Sequence, residues 1–107
     1  MPPQPKECLP SIMGLMPCKD FLTNQSAPPP PYPGKCCDGL KSLLKDTPIC
    51  LCHLDDGGFD QVLSAHMNIE NFAALMVDIC KSGGPADFGS CSGPVPPVRA
   101  PAPGAAS

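Results

Sequence analysis

Eight cysteines are the feature that most constrains how this chain of 107 residues can fold. A chain of this length suits a single domain, and burial of apolar surface alone stabilises such a small domain only marginally. An even number of cysteines in a short chain predicts four disulfides, and hence an oxidising compartment. We therefore expect a secreted domain in which disulfides supply much of the stability.

The charge balance excludes several classes of function. Lys and Arg together number 7 and Asp and Glu 10, so the net charge is −3. This charge is too mild and of the wrong sign for binding nucleic acid or for strong attraction to an anionic bilayer. No stretch approaches the roughly 18 apolar residues of a membrane span. The first residues also lack the basic and apolar regions of a signal peptide, so we expect a mature sequence from which that peptide was removed.

The spacing of apolar residues predicts an all-helical fold that begins with two helices. The first covers residues 7–23 and is apolar on much of its circumference, which predicts that it is largely buried. Pro10 suits its first turn, whereas Pro17 should kink it near its C-terminal third. After an extended connector, the second helix covers residues 35–46, with apolar residues at i, i+3, i+4 and i+7.

Two further helices follow from start and stop signals. Thr47 at a cap and Pro48 in a first turn predict the start of the third helix. The glycine pair at 57–58 should break it before another turn or two. Asn68 can cap a fourth helix, which residues 83–85 should end. No segment alternates like a strand, so we predict no sheet.

Two cysteine clusters carry geometric information. Neighbouring residues on a helix point about 100° apart, so Cys36 and Cys37 can tether two different partners and make the second helix a hub. Cys50 and Cys52 point about 200° apart and should also reach different partners, with Leu51 between them. Spacing alone still leaves on the order of a hundred connectivities for eight cysteines.

The full pattern, C…C…CC…CxC…C…C from Cys8 to Cys91, resembles the eight-cysteine motif of the plant non-specific lipid-transfer proteins. Residues 36–43, CCDGLKSL, look like the CCxxLxxL of that family. The resemblance implies a right-handed bundle of four helices, stapled by four disulfides around an apolar cavity. It implies a protein that binds and carries fatty acids, lysolipids or phospholipid acyl chains in that cavity, outside the cell.

The resemblance also implies the disulfide pairing. In the family, the two bridges of the CxC element depend on its central residue, and an apolar residue such as Leu51 goes with one of two sets. Physically, an apolar side chain turns inward and the cysteine beside it turns toward another helix. The expected pairs are Cys8–Cys50, Cys18–Cys36, Cys37–Cys80 and Cys52–Cys91.

The expected lipid-binding residues are apolar positions on the inward faces of the helices. Each could also be plain packed core, because periodicity separates inward from outward faces and does not separate a cavity wall from filler. The candidates are Ile12, Leu15, Met16, Leu40, Leu43, Leu44, Ile49, Leu51, Leu54, Val62, Leu63, Phe72, Leu75, Met76 and Ile79.

A lipid headgroup at a cavity mouth would need polar partners. The candidates are the basic and imidazole side chains, although solvated surface is the simpler expectation for each. They are Lys41, Lys45, His53, His66 and Arg99.

We expect no metal centre, no cofactor and no active site. Cys50, Cys52 and His53 could suggest zinc, but the usual C-x2-C pairs are missing and the resemblance assigns every cysteine to a bridge. Residues 89–93, GSCSG, superficially copy a nucleophile elbow. That device needs a helix after the nucleophile, whereas prolines follow here, so Cys91 is expected to be a disulfide partner.

The main alternative function is inhibition of α-amylase or trypsin, which the same helical scaffold also serves. An inhibitor would present an exposed loop, and only residues 24–34 offer one. That segment has no Lys or Arg anchor until Lys35, which is predicted to begin a helix.

The domain boundaries follow from composition. We expect a flexible N-terminus at residues 1–6, the eight-cysteine domain at 7–92, and a Pro/Ala-rich tail at 93–107 of which only the first few residues could pack on the core. The tail is typical of family members that carry a glycolipid anchor on the outer face of the plasma membrane, and Ala105-Ala106-Ser107 would suit an anchor site. We expect a monomer in the cell wall or extracellular space, with a lipid ligand, at most transient membrane contact and no nucleic acid.

Overall fold

Helices and turns account for all the regular structure in the parts of the chain that the computed structural model describes, which are residues 6–24, 26–83, 91 and 94–99. Within these described residues, five α-helices are interspersed with two 3-10 segments and one π-helical segment. The order is α1 (Leu9–Met13), a 3-10 segment (Met16–Cys18), α2 (Lys19–Thr23), α3 (Lys35–Asp46), a 3-10 helix (Pro48–Leu54), α4 (Gly58–Leu63), α5 (Ile69–Ala74) and a π-helical segment (Leu75–Ile79). This architecture confirms the all-helical prediction.

The first predicted helix is divided, and the division comes earlier than predicted. α1 ends at Met13, and a turn at Gly14 and Leu15 leads into the 3-10 segment that contains Pro17. A proline ring inside a helix clashes with the carbonyl four residues before it, which here belongs to Met13. Pro17 therefore stops the helix at its own i−4 position, so the prediction of a single kinked helix was wrong.

The predicted third helix is a 3-10 helix, and Thr47 does not cap it with its side chain. The Thr47 hydroxyl instead donates to Ser11 Oγ at 2.8 Å, which joins this segment to α1. The glycine break is confirmed: Gly57 has a left-handed φ of 81° and α4 begins at the next residue. The prediction for Asn68 is also confirmed, because its Oδ1 accepts from the Asn71 N–H at 2.9 Å and caps α5.

The four disulfides join the pairs Cys8–Cys50, Cys18–Cys36, Cys37–Cys80 and Cys52–Cys91. These are the pairs that the resemblance implied, so that prediction is confirmed. Adjacent cysteines on α3 tie it to the 3-10 segment before α2 and to the end of the π-helical segment. Leu51 is 5% exposed, and its inward side chain leaves Cys50 and Cys52 directed at two different parts of the chain.

α1 and α3 meet at a pair of glycines. The Cα of Gly39 would lie 3.6 Å from a Cβ built on Gly14. A Cβ on Gly39 would collide with the carbonyl oxygen of Gly14, which is backbone and cannot rotate away. The absence of a side chain at Gly39 therefore sets how closely the two helices approach.

Replacing Gly39 by alanine should destabilise the fold, because α1 and α3 must separate. We expect a loss of about 1–3 kcal/mol in the free energy of unfolding, as for other overpacked contacts. Urea titration with the disulfides intact would measure it. Ser42→Ala, on the same helix at an exposed position, is the matched control and should change stability little. Equal stability of Gly39→Ala and the parent would contradict this account of the contact.

The loop between α4 and α5 is held by Asp60. Its Oδ1 accepts from the Met67 N–H and its Oδ2 contacts His66 Nδ1, each at 2.9 Å. The hydrogen bond from the Met67 backbone is the main cause that lowers the pKa of Asp60 below its usual 3.8; burial opposes this shift, and the contact with His66 adds to it. Because the pKa is lower in the folded state, the carboxylate stabilises the fold above pH 3.8.

This stabilisation should be lost as the pH falls through 3.8 toward the lower folded pKa. Asp60→Asn keeps an oxygen that can accept from Met67 but cannot ionise. The free energy of unfolding should therefore fall less between about pH 6 and about pH 3 in Asp60→Asn than in the parent. Urea titrations at both pH values measure the two slopes. Identical losses in the two proteins would show that Asp60 makes no contribution.

Candidate functional site

The predicted lipid-binding residues lie mainly in one apolar cluster enclosed by the helices. Ten of the fifteen are buried: Ile12, Leu15, Leu40, Leu43, Ile49, Leu51, Val62, Leu63, Phe72 and Leu75. Leu44, Leu54, Met76 and Ile79 are partly buried and pack against that cluster. Met16 is 36% exposed at the start of the 3-10 segment, so the structure places it at the surface rather than inside.

Several interior residues were not among the candidates. Leu22, Phe59 and Met67 are each at most 2% exposed and join the cluster. The rings of Phe59 and Phe72 meet edge to face, with centroids 6.2 Å apart. The helical spacing of Leu22 and Phe59 could have identified them. Met67 lies in the loop before α5, where no periodicity marks it.

An open groove of about 370 Å³ lies between α1 and α3. It is a different place from the predicted cavity, because Leu43 is the one predicted lipid-binding residue in its wall. Its walls combine apolar and hydroxyl-bearing side chains with one carboxylate. They are formed by Pro10, Ser11, Gly14, Gly39, Ser42, Leu43, Asp46 and Thr47.

Residues 94–99, which we call the strap, pack across the start of α1. The N–H groups of Cys8 and Leu9 donate to the carbonyls of Pro97 and Val98, at 2.8 and 2.9 Å. The first N–H groups of a helix have no acceptor within the helix, so the strap supplies acceptors that α1 cannot. Val95 and Val98 pack against the apolar cluster. The strap therefore covers part of the interior. The rest of the tail, residues 100–107, and the predicted anchor site within it lie outside the described residues.

His53 joins the strap to the 3-10 helix. Its Nε2 donates to the Pro96 carbonyl at 2.7 Å, and its Nδ1 lies 2.9 Å from the Asp56 carboxylate. The residue is 7% exposed. The expectation that His53 is solvated surface was therefore wrong: contact with the strap, 43 residues away in sequence, buries it.

The other headgroup candidates lie at the surface. Lys41, Lys45, His66 and Arg99 are exposed. Lys41 lies over the ring of Tyr32, and His66 pairs with Asp60. Lys41 and Lys45 lie one turn apart on α3, whereas His66 lies between α4 and α5 and Arg99 ends the strap.

Among the residues with described positions, no cluster of three or more His, Cys, Asp or Glu side chains is arranged to hold a metal ion. Within the same part of the chain, no helix has both the length and the apolar character needed to cross a bilayer.

Comparisons with known proteins agree with the cysteine pattern. Residues 1–91 match a family model described as "Probable lipid transfer". The chain is 31% identical over 98 residues to an Arabidopsis thaliana protein named non-specific lipid transfer protein GPI-anchored 11, and the match covers 89% of this chain. The chain spans about half of that relative's length, 55%. No solved structure matches the chain.

Removing the His53 ring should loosen the strap. In His53→Ala the buried Pro96 carbonyl loses its donor, which costs about 1–3 kcal/mol. A change of about 1.4 kcal/mol raises the population of the open strap about tenfold, and trypsin cleavage after Arg99 should quicken by that factor. Mass spectrometry of timed digests measures the rate. His66→Ala, which removes an exposed imidazole that also pairs with an aspartate, should leave the rate unchanged. Equal rates in His53→Ala and the parent would contradict the role of His53.

Proposed function

Since the chain belongs to the family described as probable lipid transfer, we propose that it binds the acyl chains of fatty acids, lysolipids or phospholipids among the apolar side chains enclosed by its helices. The observation that carries this proposal is the continuous apolar cluster, which reaches from α1 through α3 to α5 and whose walls are fixed by four disulfides. Cross-links hold such walls in place whether or not a ligand fills the space between them.

The free energy gained by burying an acyl chain is of a size that suits reversible binding by a carrier. Burial contributes about 0.8 kcal/mol per CH2, or roughly 10 kcal/mol for a dozen. Ordering the acyl chain and restricting the two partners offset part of this, which leaves an affinity on the order of micromolar. A ligand held this tightly can still be released on a useful timescale.

The wall of the binding region contains adaptable side chains. Met67 is buried in the cluster, and Met76 packs against it from the π-helical segment. Methionine side chains are unbranched and can repack around ligands of different shape. This composition supports binding of several lipids rather than one.

The setting of this activity is the extracellular space. Four disulfides within one small domain indicate an oxidising compartment. The Arabidopsis relative is named as GPI-anchored, which supports attachment of this protein to the outer membrane face through a glycolipid. We propose a monomeric carrier that performs no catalysis and requires no cofactor.

A substitution that fills the interior tests whether an acyl chain lies there. Val62 is 9% exposed at the edge of the cluster, so Val62→Phe adds volume inward. If Val62 borders space for a ligand, the affinity for a fluorescent fatty acid should fall about tenfold while the melting temperature stays unchanged. If Val62 is filler in a packed core, overpacking should cost about 1–3 kcal/mol of stability. Fluorescence titration and thermal unfolding separate the two outcomes.

Val77→Phe is the matched control, because Val77 is 58% exposed on the π-helical segment. It should alter neither affinity nor stability. Assays of α-amylase and trypsin with the same preparation test the inhibitor alternative. Inhibition without saturable fatty-acid binding would replace the carrier proposal with that alternative.

A further inference from the structure

The triplet Asn24-Gln25-Ser26 directly follows α2 and fits the acceptor pattern for N-linked glycosylation, Asn-x-Ser/Thr with x other than proline. The sequence contains this pattern once, because the other asparagines, Asn68 and Asn71, have glutamate and alanine two residues later. Such a triplet is modified where it lies on the surface of a protein that passes through the secretory pathway. Exposure and compartment are therefore the two conditions that this triplet has to meet.

The geometry of the triplet meets the first condition. Asn24 and Ser26 are both exposed. The Asn24 Oδ1 accepts a hydrogen bond from the Ser26 N–H at 2.9 Å, which makes an Asx turn. Within the described part of the chain, neither the Asn24 Nδ2 nor the Ser26 hydroxyl makes a hydrogen bond. The nitrogen that would carry a sugar and the hydroxyl that completes the triplet are thus both left available.

The backbone on both sides of Asn24 is held to the fold without the use of its Nδ2. Before it, the Leu22 carbonyl accepts from the Asn68 N–H at 2.7 Å, which joins α2 to the start of α5. After it, the Ala27 N–H donates to the Asn24 carbonyl at 3.1 Å. A sugar on the Asn24 Nδ2 would therefore replace none of these hydrogen bonds.

We propose that Asn24 is a modification site that carries an N-linked glycan. Four disulfides indicate that the chain folds in an oxidising secretory compartment, which is the second condition. The proposal rests on the extracellular setting proposed above and uses none of the lipid-binding residues.

The co-substrate is an oligosaccharide whose first sugar is bonded through C1 to a lipid-linked pyrophosphate. The Nδ2–C1 bond forms while the bond between C1 and the pyrophosphate oxygen breaks. The lipid pyrophosphate leaves with the bonding electron pair, and the Asn24 Nδ2 gives up one proton to a base of the transferase. No oxidant or reductant takes part.

The test expresses the 107-residue chain, fused to a secretion signal, in a eukaryotic host that N-glycosylates a second secreted protein produced in parallel. The secreted chain should be heavier than its sequence mass. A peptide N-glycosidase should remove the excess and convert Asn24 to aspartate. After reduction, trypsin releases residues 20–35 as a peptide without cysteine, in which mass spectrometry locates that conversion.

Three variants separate the triplet from the turn. Asn24→Gln should abolish the added mass. Ser26→Ala keeps the backbone N–H that makes the Asx turn and should also abolish the added mass, because the hydroxyl of the triplet is missing. Ser26→Thr is the matched control, since it retains a hydroxyl and should be glycosylated like the parent.

Three outcomes would overturn the proposal. The chain is secreted at its sequence mass while the second protein is glycosylated; the excess mass persists in Asn24→Gln, which would assign it to another residue; or Ser26→Ala is glycosylated as fully as Ser26→Thr. Fluorescent fatty-acid binding is measured before and after the glycosidase treatment. Absence of binding in both forms would count against the lipid carrier and leave the glycan at Asn24 unaffected, so the two proposals succeed or fail separately.

Discussion

The rest of this fold depends on one constraint: two adjacent residues of α3 are bridged to different parts of the chain. Cys36 fixes the 3-10 segment before α2, and Cys37 fixes the end of the π-helical segment. Because side chains one residue apart on a helix diverge by about 100°, the two bridges leave α3 in different directions and hold elements on both sides of it. The buried side chains of Leu40 and Leu43 follow on the same helix and face the apolar cluster between these elements. Without the bridges, five short helices would have to hold this arrangement by packing alone, and isolated helices of five or six residues are unstable in water.

Cross-linking also explains how such a domain could keep space for a ligand. An unfilled apolar cavity costs about 24 cal/mol per Å³, or roughly 7 kcal/mol for about 300 Å³. In the chain-entropy model, each bridge here contributes about 3–4 kcal/mol, because the bridged residues are separated by 18 to 43 positions. Two bridges therefore offset a cavity of that size. A helical domain of the same length without disulfides would instead have to fill its interior with its own side chains.

The features that could be predicted from the sequence are those that local geometry determines. Three such features are the divergence of neighbouring cysteines, the inward rotation of Leu51 and the cap at Asn68. Each involves residues that lie within one helical turn of one another. The end of α1 at Met13 could also have been predicted, since the position of Pro17 specifies the carbonyl with which its ring would clash. The burial of His53 was not, because its partner is 43 residues away in a segment whose Pro-rich composition is typical of disorder. Among the candidate lipid-binding residues, periodicity separated inward from outward faces and failed at Met16, where the helix had already ended.

The strap is attached differently from the helices that enclose the apolar cluster. Disulfides anchor the start of α1, the start of α3, the 3-10 helix and the end of the π-helical segment. Residues 94–99 are held instead by hydrogen bonds and by the packing of Val95 and Val98. Three of its carbonyls accept bonds, and its prolines have no N–H to donate. When the strap lifts, the N–H groups of Cys8 and Leu9 can bond to water, so each lost bond costs only about 0.5–1.5 kcal/mol. Lifting the strap would therefore break hydrogen bonds and packing contacts but no disulfide, and it would separate the buried His53 ring from the Pro96 carbonyl.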